Sequence, residues 1–364
     1  MRNRPLPPLV GLLATLTLLV AAGPPAAAAG PVVVRVADDA ALRRALADAR
    51  PGTRVVVAPG RYRGGHGGDG LRGTPEAPIV IEAADPKDKP VFEGGWAGLH
   101  LRGPAHLTLR NLVVRGQTGN GINLDDGGNG AEPAHHVTLE GVDVADVGPR
   151  GNLDGLKASG VDDLSVRDCT FAGWGGQAID MVGCHRVTVE GCTFRGKPGF
   201  TQSAGVQAKG GSSAVVVRRC AFVDAGERAV NLGGSTGPAY FRPRDATSEA
   251  RDVTVEGCRF VGSLAPVNFA GVDGAVVRYN TIVRPEKWVC RILQENRAAG
   301  LVACRNGRFE RNLVVFERAK VRVAVNVGPA TDPGSFAFAG NLWFCADAPA
   351  ASRPDLPTPE RDGA

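Results

Sequence analysis

The sequence predicts an all-β solenoid, a ribbon of short strands wound into stacked coils, and three observations carry that prediction. First, the phrase Val187-Thr188-Val189-Glu190-Gly191-Cys192-Thr193-Phe194 returns almost unchanged as Val253-Thr254-Val255-Glu256-Gly257-Cys258-Arg259-Phe260. Looser copies run through Leu107–Val114, Val137–Val144, Leu164–Phe171, Val215–Phe222, Ala275–Ile282, Gly307–Val314 and Phe336–Trp343. Second, the sixth positions of these copies are spaced by 30, 27, 23, 28, 38, 22, 32 and 29 residues, a period at which each unit buries its apolar face only by stacking on its neighbours. Third, apolar residues alternate with period two and valine is abundant, which excludes helical repeats.

The elements follow in order. Arg2 and Arg4 precede an apolar run from Leu9 to Ala22 and a small-residue stretch ending Ala27-Ala28-Ala29. This is the pattern of a removable export signal over residues 1–29 and is too short for a trusted membrane span. The chain is therefore expected to be secreted or periplasmic. Losing that segment removes two arginines and no acid, so the net charge falls from +5 to +3, a mild excess that decides nothing by itself. Val32–Val36 reads as the first strand. Asp38–Arg50 places Leu42, Ala45, Leu46 and Ala49 on one helical face, with Asp38 or Asp39 as N-cap and Pro51-Gly52 as the stop. Such a helix would lid the open end of the solenoid. Val55–Ala58, Ile79–Glu82 and Val91–Glu93 are the next strands.

The solenoid is expected over residues 30–345. Its sixth-position column reads Leu112, Val142, Cys169, Cys192, Cys220, Cys258, Asn280, Asn312 and Asn341. Stacked rungs lie about 4.8 Å apart, so equivalent side chains form ladders. Four cysteines in register read as an interior thiol stack, since no CxxC pair offers a metal or redox site. Cys184, Cys290, Cys304 and Cys345 fall outside the ladder. A Cys290–Cys304 disulfide across one excursion is the pairing we expect in an exported chain. Residues 233–249 form the longest excursion and carry Tyr240, Phe241, Arg242 and Arg244 in a chain with only 5% aromatics. Residues 346–364 read as a proline-rich tail or strap.

The chemistry is expected between the repeated phrases. Residues 121–125, 155–159, 178–182, 205–209, 229–233, 266–270 and 324–328 share apolar second and fourth places, which must face inward. Their third places then face outward as one column: Asn123, Lys157, Asp180, Gln207, Asn231, Asn268 and Asn326. Asp125, Ser159 and Lys209 stand beside it in the fifth place. A plain solvated face would use amide ladders and neutralised Lys–Asp pairs, which suffices for Asn268 and Asn326. It accounts less well for Lys157, Asp180, Gln207 and Lys209 on three consecutive rungs, where threonine and serine would serve a structural face better.

The repeats, the Gly73-Thr74-Pro75-Glu76-Ala77-Pro78-Ile79 approach and the Val91-Phe92-Glu93-Gly94 strand resemble the secreted proteins of the pectate lyase superfamily. Within it, the pattern is similar to the polysaccharide lyases that include chondroitinase B and alginate lyases. The resemblance implies a single-stranded right-handed parallel β-helix with a short N-terminal capping helix. It also implies a lysine base on one rung and an assisting arginine on the next. Lys157 matches the lysine position. The arginine position falls in residues 179–185, which contain no arginine, and a further family arginine falls near Gln207 and Lys209. Ca2+ is the one cofactor the resemblance brings, but the paired glutamates that bind it are absent, with only Asp154 nearby.

β-Elimination from a uronate needs donors for the carboxylate and a base for the C5 proton. Lys209, Gln207, Arg228 or Arg242 would supply the donors. Lys157 would be the base if neighbours and burial lower its pKa, with Asp180 and His185 as alternatives. The catalytic candidates are thus Lys157, Asp180 and Lys209. The substrate-binding candidates are Asn123, Asp154, Gln207, Arg228, Asn231, Tyr240 and Arg242, and no metal ligands are assigned. The expected partner is an acidic polysaccharide, not nucleic acid or a membrane, met by a monomer. The first reading is a lyase. A hydrolase or esterase would need a carboxylate pair such as Asp154 with Asp180 or Asp125 with Asp154, and a non-catalytic carbohydrate-binding solenoid would need only the asparagine-rich column.

Overall fold

A computed structural model describes residues 30–128 and 132–363; the expected export signal lies outside the described residues. The chain winds as a right-handed parallel β-helix with three long sheets of 12, 10 and 11 strands. Each repeated phrase supplies a strand of the first sheet, such as His185–Glu190, and a short strand of the third, such as Thr193–Arg195. The residues between phrases supply the second sheet, as in Gln177–Val182 and Ala204–Lys209. Strands equivalent along the sequence pair in parallel, one coil above the next. No helix among the described residues is long and apolar enough to cross a membrane.

Period-two alternation decides what fills the interior. Leu112, Val142, Cys169, Cys192, Cys220, Cys258, Asn280, Asn312 and Asn341 are all buried, which places the sixth-position ladder inside the coil. Beside it Phe171, Phe194, Phe222 and Phe260 stack with ring centroids 5.2, 4.6 and 4.8 Å apart. The asparagines work as a relay. Asn312 Oδ1 accepts from the backbone and side chain of Asn280, and Asn341 Oδ1 does the same for Asn312. Buried amides are thereby satisfied rung by rung.

All eight cysteines are buried and free. The expected Cys290–Cys304 disulfide is not formed. Cys290 points inward from the second sheet, in register with Val267 and Val325, so it fills core volume where an apolar residue would otherwise stand. Desolvation pushes its thiol up to about 12.

Both ends of the solenoid are covered, as exposed sheet and core edges require. Helix Asp39–Asp48 starts at Asp38, whose carboxylate accepts from the Ala41 amide, and buries Leu42, Ala45 and Leu46 against the first coil. At the far end the chain after Cys345 folds back. Arg361 pairs with Ala339, and Glu360 accepts hydrogen bonds from Asn341 and Trp343, closing the asparagine relay. The proline-rich stretch is a strap over the last coil.

Candidate functional site

Backbone pairing in the second sheet puts His100, Asn123, Lys157, Asp180, Gln207, Asn231, Asn268, Arg291 and Asn326 in one column. The sequence pattern missed His100 and Arg291. Their triplets, Leu99-His100-Leu101 and Cys290-Arg291-Ile292, carry the same apolar–polar–apolar signal as the rest of the column.

The column was expected on an open face, and that expectation is corrected. Asp180, Gln207, Asn231 and Asn268 are almost fully buried, whereas Asn123 and Lys157 keep partial exposure. The excursion after Asn231 accounts for part of this cover. Gly234 has φ +150°, and a Cβ there would lie 3.1 Å from Gln207 Nε2 and 3.4 Å from Lys209 Cδ. Only a residue without a side chain lets the loop lie this close to the column.

Four charges meet at the centre. The Lys157 ammonium donates to Asp180 Oδ2 and stands 3.4 Å from Asp154 Oδ2. Lys209, in the neighbouring fifth-place column, reaches back to Asp180 Oδ2 at 3.4 Å. The side chains of Lys157 and Lys209 are 22% and 12% exposed, so both ammonium groups lie between the buried carboxylates and solvent. Asp154 enters from the turn before the Lys157 strand. Its Oδ1 accepts from the Gln177 amide, and its own amide donates to Asn120. Gly176 makes room for it: a Cβ there would lie 2.6 Å from Asp154 Oδ1.

The electrostatics divide the roles. Burial and the neighbouring Asp180 raise the Asp154 pKa to about 6, against the pull of Lys157 and Lys209. Its Oδ2 makes no hydrogen bond and is held only by the long 3.4 Å ion pair with Lys157, and Asp180 Oδ1 is likewise buried without a hydrogen bond. Lys157 moves the other way from the sequence expectation. Burial opposes its charge, but Asp180 and Asp154 outweigh burial and raise its pKa. A lysine base with a lowered pKa is not what these neighbours produce.

The remaining candidates divide. Asn268 donates to Asn231, and Asn231 donates to Gln207, a buried amide chain that ends beside the charges. Asn123 accepts from Asn120. Arg228 lies further along the helix and pairs with Glu295 at 3.4 Å, and Asp125 binds His100 at 2.7 Å. His185 belongs to the first sheet and bonds Ser213. The excursion does form a wall: Ala239 through Arg244 face Asp126, Ser159, Gly160 and Val182 across a cleft of about 580 Å³. Tyr240 is exposed there. Phe241 was expected as a second stacking surface but is buried, and Arg242 spends its guanidinium on a bidentate pair with Asp162 and on the Gly183 carbonyl. Arg242 therefore anchors the wall through Asp162 and Gly183.

Residues 97–243 match the sequence family described as "Right handed beta helix region". A search of curated protein sequences finds no match. Among solved structures the chain is similar to an alginate lyase from Paenibacillus sp. str. FPU-7, with TM-score 0.57 and 19% identity over 81% of this chain and 97% of that one. It is also similar to pectate lyase Pel9A, with TM-score 0.52 and 15% identity over 85% and 80% of the two chains. A lacto-N-biosidase from Eubacterium ramulus matches with TM-score 0.51 and 12% identity, over 86% and 67%. These likenesses show a fold, the right-handed parallel β-helix. They include a lyase and a hydrolase scaffold alike, so function has to be argued from the site.

Proposed function

We propose that this chain acts on a uronate-containing polysaccharide by β-elimination, at the face where Asp154, Lys157, Asp180 and Lys209 meet. The observation that carries the reading is Asp154: a carboxylate with an oxygen that makes no hydrogen bond and a pKa raised to about 6, beside two ammonium groups. A uronate carboxylate competes with Asp180 for Lys157 and Lys209, drawing Lys157 outward and uncovering Asp154 Oδ2. The ammonium groups, with Gln207 Nε2, then stabilise charge that develops on the substrate carboxylate as C5 loses its proton. Asp154 takes that proton, the C5–H electrons form the C4–C5 double bond, and the C4–O bond breaks. The departing oxygen leaves with a proton, returned by Asp154 or drawn from water.

Magnitudes favour Asp154 over Lys157 as the base. With its pKa above the ordinary lysine value, Lys157 holds fewer than about one free amine in a thousand at neutral pH. Asp154 is mostly ionised there, and it is about a hundredfold more basic than an ordinary aspartate. The donor set does not fit a calcium ion. Asp180 is wedged between two ammonium groups, and a divalent cation would meet both, so no step is routed through one.

A second reading has its own observation. Asp180 and Asp154 together already balance both lysines, as a structural network would, and the column would then only bind glycans. Incubation with a panel of uronate polymers separates the readings. Unsaturated, ultraviolet-absorbing ends support elimination. Reducing ends without that absorbance point to hydrolysis, and the absence of both leaves binding alone.

A further inference from the structure

His106, His135 and His136 lie together on the first sheet, and neither the proposed elimination nor the packing of the coil uses them. Their position follows from a break in strand alternation. Residues 106, 136, 163, 186, 214 and 252 occupy equivalent places on successive rungs, and all have positive φ. One left-handed residue per strand turns two consecutive side chains outward, as in a bulge. Ala134 and Val137 are buried, while His135 and His136 between them are not. His106 stands on the rung below His136, with ring centroids 4.5 Å apart. His135 Nδ1 and His136 Nδ1 are 3.0 Å apart, and one ligating atom from each of the three imidazoles falls within 4.8 Å of the others.

We propose that His106, His135 and His136 bind a divalent transition metal ion of the zinc class, with water completing the shell. Two nitrogens on a tetrahedral zinc at 2.0–2.1 Å stand about 3.3 Å apart, so the His135–His136 pair is already near the required bite. His106 closes the remaining distance by a rotamer adjustment at the surface. Asp163 Oδ2 is 3.7 Å from His136 Nδ1, but Arg186 engages that carboxylate and leaves the imidazoles as the ligand set.

The alternative is a purely local arrangement. Histidine tolerates the left-handed region, and Arg72 Nη2 stands 3.4 Å from His135 Nε2, where it donates to a metal-free ring. Arg72 makes the two readings separable. A metal on His135 Nδ1 leaves Nε2 protonated and facing the guanidinium, donor against donor, so Arg72 must turn away. Removing it should tighten metal binding.

The test uses untagged, chelator-dialysed protein with Co2+ as a spectroscopic probe and Zn2+ by titration calorimetry. The expected result is one ion per chain, an intense visible Co2+ spectrum of tetrahedral type, and no thiolate charge-transfer band. His136→Asn and His106→Asn keep a residue suited to positive φ and should each weaken binding by at least about tenfold. His135→Gln should do the same, and Arg72→Ala should strengthen binding severalfold. Circular dichroism of each variant checks that the coil is intact. A pale octahedral Co2+ spectrum, substoichiometric binding, or affinities indifferent to His136→Asn and Arg72→Ala would overturn the site. Turnover of uronate polymers plays no part in these readouts, so this proposal and the elimination stand or fall separately.

Discussion

Lys157 and Asp180 are register partners on neighbouring rungs, and the lysine ammonium rests on the aspartate carboxylate while Asp180 is fully buried. Lys209 reaches the same carboxylate oxygen from the adjacent column. Asp180 is thus an anchor that holds two ammonium groups in place. The consequence falls on Asp154, which faces the same ammonium only at 3.4 Å and whose pKa is raised to about 6. In the proposed elimination, proton transfer passes to the carboxylate and charge stabilisation to the lysines, the reverse of the assignment taken from the lysine position alone.

That division fixes the pH dependence. Turnover of a uronate polymer should rise with pH through about 6, as Asp154 ionises, and then level off. A lysine base would keep the rate rising into the alkaline range. Asp154→Asn should lower kcat/KM by about 10²–10⁴-fold and abolish the acid limb. Stability carries the same signature with a definite sign. An acid whose folded pKa is raised binds its proton more tightly in the folded state, so stability falls as pH rises from the ordinary aspartate value through about 6. Thermal midpoints of Asp154→Asn should lack that fall. Matching acid limbs and midpoint curves in variant and wild type would exclude Asp154 as the base.

The ion quartet also makes a prediction that the surface picture did not. Exposed lysines are cheap to remove, but among the described residues Lys157 and Lys209 are the only cations set against Asp180. Lys157→Met should destabilise by about 3 kcal/mol, because it leaves buried charge short of a partner. Adding Asp180→Asn should recover a large part of that loss. Denaturant unfolding of both singles and the double gives the coupling, expected at about 1–3 kcal/mol. Additive losses would show that the pair is not coupled. Lys209→Ala should impair turnover more than stability, since Lys157 still holds Asp180.

Much of this was legible in the sequence, and the reason is the repeat. Equivalent residues must stack, so the Cys and Asn ladder, the third-place column and its register from Asn123 to Asn268 follow from alignment of the chain with itself. Burial of the column was not legible. The period places a side chain outside the coil but does not say whether an excursion lies over it, and Gly234 over Gln207 is such a case. Nor could the period show which way Arg242 turns or that Asp154 rises from a turn to meet Lys157. The paired outward histidines were hidden for a related reason: one left-handed residue resets the alternation on which the reading relied.

The thiols provide a direct check on the interior. All eight cysteines are buried and free, and desolvation raises the Cys184 and Cys290 thiols to about 12. An aromatic disulfide reagent should therefore label none of them in the native protein and all eight after denaturation without reductant. Six labelled thiols in the denatured, unreduced chain would restore a disulfide and displace the packing account of Cys290 and Cys304.

The groove wall hangs on Arg242 and Asp162. The guanidinium holds both carboxylate oxygens at 2.7 and 2.8 Å and bridges the excursion to the strand Val161–Arg167. Burial pushes Asp162 up, but the hydrogen bonds and charge of Arg242 outweigh it and hold the carboxyl below the ordinary aspartate value. A depressed folded pKa contributes stability that is present above the ordinary value and lost as pH falls through the folded one. The wall should therefore stay closed at neutral pH and loosen only in strong acid. Arg242→Ala should loosen it at neutral pH. Hydrogen exchange across residues 234–249 should speed up in that variant while the Phe171–Phe260 stack stays protected, because the loop is not part of the core ladder. If Tyr240 forms a sugar platform, the same variant should raise KM for a uronate polymer with little change in kcat, since Asp154 and Lys157 do not touch the loop's anchor. A fall in kcat at constant KM would instead tie Arg242 to the reacting centre and refute its role as an anchor.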